Sequence, residues 1–240
     1  MQDGASICAM QHFHFGQRVL CSDGEAGLLT QLVFDSAGHR LIALGIMVGR
    51  WFGRRVYVSF TTVVPAAGEN MTLRLSRAEL AAASNQAPAG AELDRTSVVK
   101  ANHPSGTTAQ GTIHLLAVHP ESGKLADLVA HHIRARQDTL FHEASVTQIE
   151  TGQVNVSLPE ATWQTLPPYR PDDQLQHEIE ERLYDLIPFH VDFQAMHIRV
   201  LDRVLYLTGN ISSSLRKDIV EDQAMGVQGL EEIKNELLGD

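Results

Sequence analysis

The sequence predicts a mainly β chain that ends in a small α+β unit: two small antiparallel β-barrels followed by a C-terminal αββαβ domain. Three observations carry this. Residues 27–35 followed by Gly38 align with residues 111–119 followed by Gly123, and residues 71–75 align with residues 154–158, so a repeat runs along the chain at a nearly constant offset. Turn residues recur about every ten positions within each copy, the rhythm of short strands in a barrel or sandwich. After the Pro-rich stretch Leu166-Pro167-Pro168-Tyr169-Arg170-Pro171 the pattern changes to helix, strand, strand, helix, strand.

Taken in order, residues 1–14 read as an N-terminal tail and residues 15–80 as the first barrel. The dipeptide Asp23-Gly24 suits a tight hairpin, because glycine accepts positive φ and aspartate caps its own turn. Met71-Thr72-Leu73-Arg74-Leu75 alternates apolar and polar at the period of a half-buried strand, followed by a short polar turn containing Ala78. Residues 81–90 are poor in large apolar side chains, so 81–95 read as a linker. Residues 96–166 form the second barrel, where Val154-Asn155-Val156-Ser157-Leu158 repeats the alternation ahead of a turn with Ala161. Each barrel alone has a thin core, and pairing them buries more apolar surface than either can. Prolines make 167–171 an extended linker.

In the last segment, residues 172–240, Leu175, Ile179, Leu183, Leu186 and Ile187 make one helical stripe, with Asp172 or Asp173 as N-cap and Pro188 as the stop. Ile198-Arg199-Val200-Leu201 and residues 205–211 read as strands joined through Asp202-Arg203. A serine triplet, Ser212-Ser213-Ser214, starts a helix carrying Leu215, Ile219 and Val220, and residues 230–237 return as the last strand.

Two family resemblances sit on these segments. The series from Phe15-Gly16-Gln17-Arg18-Val19 through Asp23-Gly24, Gly27, Asp35 and residues 41–46 to Arg54-Arg55-Val56-Tyr57-Val58-Ser59-Phe60 resembles the PRC-barrel family, whose domains are small six-stranded barrels. Ser59-Phe60 stands where that family often has a proline-bearing turn. The second copy is more degenerate, with Ser105-Gly106 where Asp-Gly is expected. Leu207-Thr208-Gly209-Asn210-Ile211 together with Gly226-Val227-Gln228-Gly229-Leu230 and the ending Ile233-Lys234-Asn235-Glu236-Leu237 looks like the BON domain, with Asp202-Arg203 in place of its usual Asn-Gly hairpin. That resemblance implies attachment to phospholipid surfaces or to other proteins, and no catalysis.

Composition sets the remaining limits. At 43% hydrophobic and 20% charged residues the 240-residue chain is of globular type, and its longest strongly apolar run, Leu41–Val48, is under half of what a spanning helix needs. No signal peptide is legible in residues 1–10, and two cysteines give neither a disulfide framework nor a zinc motif, so the cytoplasm is the expected compartment. Twelve histidines, among them His103, His114, His119, His131, His132 and His142, invite a metal reading. They lack ligand spacing, and adjacent His131 and His132 on a strand point to opposite faces, so no metal, cofactor or catalytic constellation is expected.

The one feature pointing outward is Gly49-Arg50-Trp51-Phe52-Gly53-Arg54-Arg55, where Arg50, Arg54 and Arg55 flank Trp51 and Phe52 in a loop between two apolar strands. Tyr206 is its counterpart in the last segment, where Val204 and Tyr206 lie opposite Leu205 and Leu207, so both strand faces are apolar. Charge selects the partner. Of the net −10, the last segment carries −9 and residues 15–80 carry +2, too little for a nucleic-acid surface and repulsive towards anionic lipid. The expectation is a non-catalytic scaffold or adaptor that binds a protein partner or itself, as a homo-oligomer. Peripheral attachment to a membrane surface is the alternative, and an enzyme with a site between the barrels the third reading.

Overall fold

The computed structural model describes residues 10–35, 39–49, 53–65, 70–103, 105–134, 137–166, 168–186, 195–211 and 217–239. The fold is mainly β, with two curled half-barrel sheets and a small mixed sheet carrying helices. It divides into two compact units, Met1–Leu166 and Pro167–Asp240.

The first half-barrel is built from β2 (Arg18–Cys21), β3 (Gly24–Phe34), β4 (Leu41–Val48), β5 (Arg54–Ser59), β6 (Val63–Val64) and β7 (Met71–Leu73), in the order β5-β4-β3-β2-β7-β6. The second repeats it with β9 (Val98–Asn102), β10 (Thr108–Val118), β11 (Leu125–Arg134), β12 (Gln137–His142), β13 (Val146–Glu150) and β14 (Gln153–Ser157), in the order β12-β11-β10-β9-β14-β13. Both are antiparallel except for one parallel pair each, β2 with β7 and β9 with β14. The repeat extends to irregularities. β3 shifts register against β4 between Leu29 and Gln31 and again between Val33 and Phe34; β10 shifts against β11 between Ile113 and Leu115 and between Ala117 and Val118. Thr30 and His114 therefore occupy the same β-bulge, one in each copy.

Gly27 and Gly111 explain the most legible pair in that alignment. A Cβ on Gly27 would lie 2.1 Å from the carbonyl oxygen of Met47, and one on Gly111 the same 2.1 Å from that of His131. Neither position tolerates a side chain, because the partner backbone passes where it would stand.

Two short strands lie outside the two expected barrel segments. β1 (Gln11–Phe13) lies in the expected tail and β8 (Ala91–Asp94) in the expected 81–95 linker. They are exchanged: β1, which precedes the first half-barrel, pairs with β10 of the second, whereas β8, which precedes the second, pairs with β3 of the first. Phe13 faces Leu116 and Leu93 faces Leu32, equivalent positions of the two central strands. One continuous core results, with Phe13, Phe34, Leu93, Leu116 and Phe141 all buried in it. The Phe13 ring meets Phe60 of the first half-barrel edge-on at 6.3 Å. Backbone bonds from Leu41 to Gly123 and from Leu125 to His39, at 2.8 and 2.9 Å, join the equivalent hairpins.

Where the sequence suggests short polar turns after the alternating strands, the chain forms short helices, α1 (Arg77–Ala81) and α2 (Glu160–Thr165). Ser76 and Glu79 make a reciprocal capping box on α1. Leu80 and Trp163, one on each helix, are the apolar plugs that dock them on the core. Asp23 also reaches beyond its own turn: it accepts from the Arg77 backbone N–H at 2.8 Å and pairs with that guanidinium at 3.4 Å, so the hairpin is tied to the start of α1.

The second unit has the order α3 (Asp172–Leu186), β15 (Met196–Leu201), β16 (Val204–Ile211), α4 (Lys217–Met225), β17 (Glu232–Gly239), in a sheet β15-β16-β17 whose first pair is antiparallel and second parallel. Leu175, Ile179 and Leu183 of α3 and Val220 and Ala224 of α4 are buried against one face of that sheet. The expected stop at Pro188, the serine triplet at 212–214 and Leu215 lie outside the described residues. Asp202 and Arg203 form the β15–β16 turn, both at positive φ (50° and 64°), a conformation that favours Asn-Gly. The Asp172 carboxylate compensates by accepting both their backbone N–H groups, at 2.7 and 2.9 Å. Asp172 is thus a turn-holding residue within the first turn of α3.

Candidate functional site

Sequence reasoning places the outward-facing residues at 50–55 and at Tyr206. Arg50, Trp51 and Phe52 lie outside the described residues. Arg54 and Arg55 are strand residues that begin β5; Arg54 is exposed and Arg55 is half-buried, and both side chains are engaged within the chain. Arg54 donates to the carbonyl of Ala81 at the end of α1. Arg55 donates to Gln31 Oε1 at 2.9 Å, which also accepts from the Tyr57 hydroxyl at 2.5 Å, while Gln31 Nε2 donates to Glu92 of β8. A Cβ on Gly45 would sit 2.8 Å from Gln31 Cβ and 3.1 Å from Tyr57, so the network occupies the space of a missing side chain.

Tyr206 lies on the face of its sheet turned away from α3 and α4. The register aligns Arg199 with Tyr206 on one side and Lys234 on the other, and the Lys234 ammonium stands 5.3 Å from the Tyr206 ring centre. This outer face is therefore not the apolar surface that Val204 and Tyr206 suggest. Arg199 and Lys234 alternate there with Glu232 and Glu236, so charges of both signs balance locally on an otherwise acidic unit.

A second assembly, which the sequence does not announce, lies in the second half-barrel. His114 stands in the β10 bulge, His131 in β11 and Asp138 in β12, three adjacent strands. One ligand atom from each lies within 4.8 Å of the other two, and among the described residues this is the group able to hold a metal ion. The His114 and His131 rings are 4.2 Å apart, and His131 Nδ1 is hydrogen-bonded to Asp138 Oδ1. His14, immediately after β1, places its ring 5.5 Å from His114. His132 takes a positive φ of 66° where the β11–β12 register is irregular, and its ring lies 5.9 Å from His131, so the two neighbours do not alternate across a regular strand. All three groups are half-buried, with His131 and Asp138 side chains 38% and 28% exposed. Burial, and secondarily the neighbouring His131, holds the His114 imidazole below its ordinary pKa of 6.5, against an opposing pull from Asp138. The arrangement offers neutral imidazole nitrogen beside a carboxylate.

The spacing from His114 to His131, and from there to Asp138, matches no ligand motif. The usable signal is the repeat itself: aligned on Gly27 and Gly111, His114 replaces Thr30 and His131 replaces Met47.

No known family profile and no curated protein matches this chain. No helix among the described residues is long and apolar enough to cross a membrane.

Proposed function

We propose that the chain is a non-catalytic scaffold or adaptor, with a PRC-barrel-like pair as its rigid body and a BON-like C-terminal unit as its interaction module. The motifs quoted above support the family reading, together with the curled half-barrel sheets and the αββαβ order of the segment that follows the proline-rich stretch. The exchanged strands β1 and β8 suit a rigid body, since neither half-barrel keeps its central strand covered without a segment belonging to the other.

One observation carries the interaction reading, the outer sheet face around Tyr206. The C-terminal segment bears a net −9, so most approaches by a second acidic unit are repulsive over about a Debye length of 8–10 Å. On this face Arg199 and Lys234 offset Glu232 and Glu236 around an aromatic ring, so a second copy approaching face to face across a two-fold axis meets little net charge there. The proposed occupant is therefore another copy of this chain.

Sedimentation at micromolar concentration is the test. The wild type is expected to run as an oligomer and Tyr206→Glu, with unchanged circular dichroism, as a 26.4 kDa monomer. A wild type monomeric at every accessible concentration overturns self-association. Flotation with phosphatidylserine vesicles at low salt addresses the membrane alternative, and this chain is expected to stay with the soluble fraction.

A further inference from the structure

The two half-barrels share a backbone but not the side chains around its bulge. In the first, the equivalents of His114, His131 and Asp138 are Thr30, Met47 and Arg55, and the residue equivalent to His14 is Asp94, as the paired registers of β1 and β8 show. Thr30 gives its hydroxyl to the Gly45 carbonyl at 3.1 Å, and Arg55 reaches Gln31. None of Thr30, Met47 and Arg55 offers a carboxylate or an imidazole. The same bulged sheet thus folds around this set, and a His-His-Asp constellation is not needed to make it. Clustering imidazoles at 4.2 and 5.5 Å also has an electrostatic cost whenever they are protonated, since like charges at that range repel in a half-buried setting.

We propose that His114, His131 and Asp138 bind a first-row divalent cation of the zinc or cobalt(II) type, with His14 the nearest additional imidazole. Two imidazoles and one carboxylate are the donors that such ions take, in preference to the all-oxygen sets of calcium or magnesium. The donors stand on three neighbouring strands rather than on loops, so the sheet holds them in place before a cation arrives. A three-residue donor set leaves coordination positions for water or His14. Partial exposure of His131 and Asp138 provides the entry path.

The experiment titrates Co²⁺ into chelator-washed full-length protein and reads the visible ligand-field spectrum. One equivalent per chain is expected. The informative variants are His114→Thr and His131→Met, which place in the second half-barrel the residues that the first already accommodates at the same positions. Each is expected to weaken Co²⁺ binding by at least about 10-fold with the circular dichroism spectrum unchanged. His177→Ala, an exposed histidine of the C-terminal unit, serves as the control and is expected to bind as the wild type does. A wild type taking up no stoichiometric Co²⁺, or an affinity that survives both variants, overturns the site. If the variants fail to fold, histidine proton resonances of the wild type decide. Paramagnetic shifts largest at His114 and His131, with His14 and His132 next, support the proposal, and shifts led by His177 or His197 defeat it.

Discussion

The β3 bulge holds Thr30 and the matching β10 bulge holds His114, and the two half-barrels diverge from that point. Around Thr30 the first builds an internal polar network, with Arg55 and Tyr57 both donating to Gln31 and Gln31 donating to Glu92. Around His114 the second has Leu115, Val129 and Leu140 in the places of Gln31, Gly45 and Tyr57, and gathers its polar groups into the His131–Asp138 pair beside His114. The polar network needs Gly45, because any side chain there collides with Gln31. The second sheet fills that space with Val129 and leaves its titratable groups together. The backbone irregularity is the shared element, and the chemistry depends on which side chain stands in it.

The comparison is broken most severely at the exchanged strands. Phe13, 1% exposed, and Leu93, fully buried, each cover the central strand of the half-barrel they do not lead into. Phe13→Ala is expected to cost about 3–5 kcal/mol and Leu93→Ala about 2–5 kcal/mol, the range for deleting large core side chains. Where the damage appears is the sharper readout. Hydrogen exchange should accelerate first in β10 and β11 for Phe13→Ala and in β3 and β4 for Leu93→Ala. The opposite assignment, or two separate unfolding transitions for the two half-barrels, would refute the shared core.

Exchange of this kind is hard to read in a sequence. β1 and β8 are too short for alternation to stand out, and their partners lie far along the chain. The segments therefore look like a tail and a linker. The long strands β3 and β10 are legible because glycines and apolar residues recur at a fixed offset, β4 because it is the longest apolar run, and the C-terminal order because α3 keeps its stripe through Leu175, Ile179 and Leu183. The His114, His131 and Asp138 assembly escapes for a different reason. Its members meet through cross-strand register at a bulge, and ligand spacing along one element says nothing about residues gathered from three. Tyr206 is located correctly on a strand, but its neighbours Arg199 and Lys234 belong to other strands, so the polarity of that face is invisible until the register is known.

A second test keeps the two copies in parallel. Gly27→Ala and Gly111→Ala each push a methyl group to 2.1 Å from a backbone carbonyl, of Met47 and His131 respectively. A forced opening of this kind costs about 1–3 kcal/mol, and equal losses in thermal denaturation are expected, since the obstructing group is backbone in both. Unequal losses would show that the half-barrels differ in how far β4 and β11 can yield. The Gly111→Ala variant should in addition weaken Co²⁺ uptake, because the carbonyl it displaces belongs to His131; Gly27→Ala should leave uptake unchanged.

The smallest expected effect concerns Asp94, which occupies in the first half-barrel the place that His14 takes in the second. Burial alone would raise the pKa of its carboxyl. Hydrogen bonds from the Thr96 hydroxyl at 2.7 Å and backbone N–H at 2.8 Å, from the Ser97 hydroxyl, and the charge of Arg55 outweigh burial and hold it below the ordinary 3.8. A depressed folded-state pKa means that the unfolded chain binds the proton more readily, so this stabilisation is present in full above about pH 4 and is lost as pH falls through the folded value. Asp94→Asn removes the titration while keeping the side chain's shape. Its stability, measured by urea denaturation, should be lower than wild type at neutral pH and converge with it below pH 4. Parallel curves across that range would mean that the Asp94 carboxylate contributes no charge-dependent stability, and would leave the turn through Thr96 and Ser97 to be held by neutral hydrogen bonds alone.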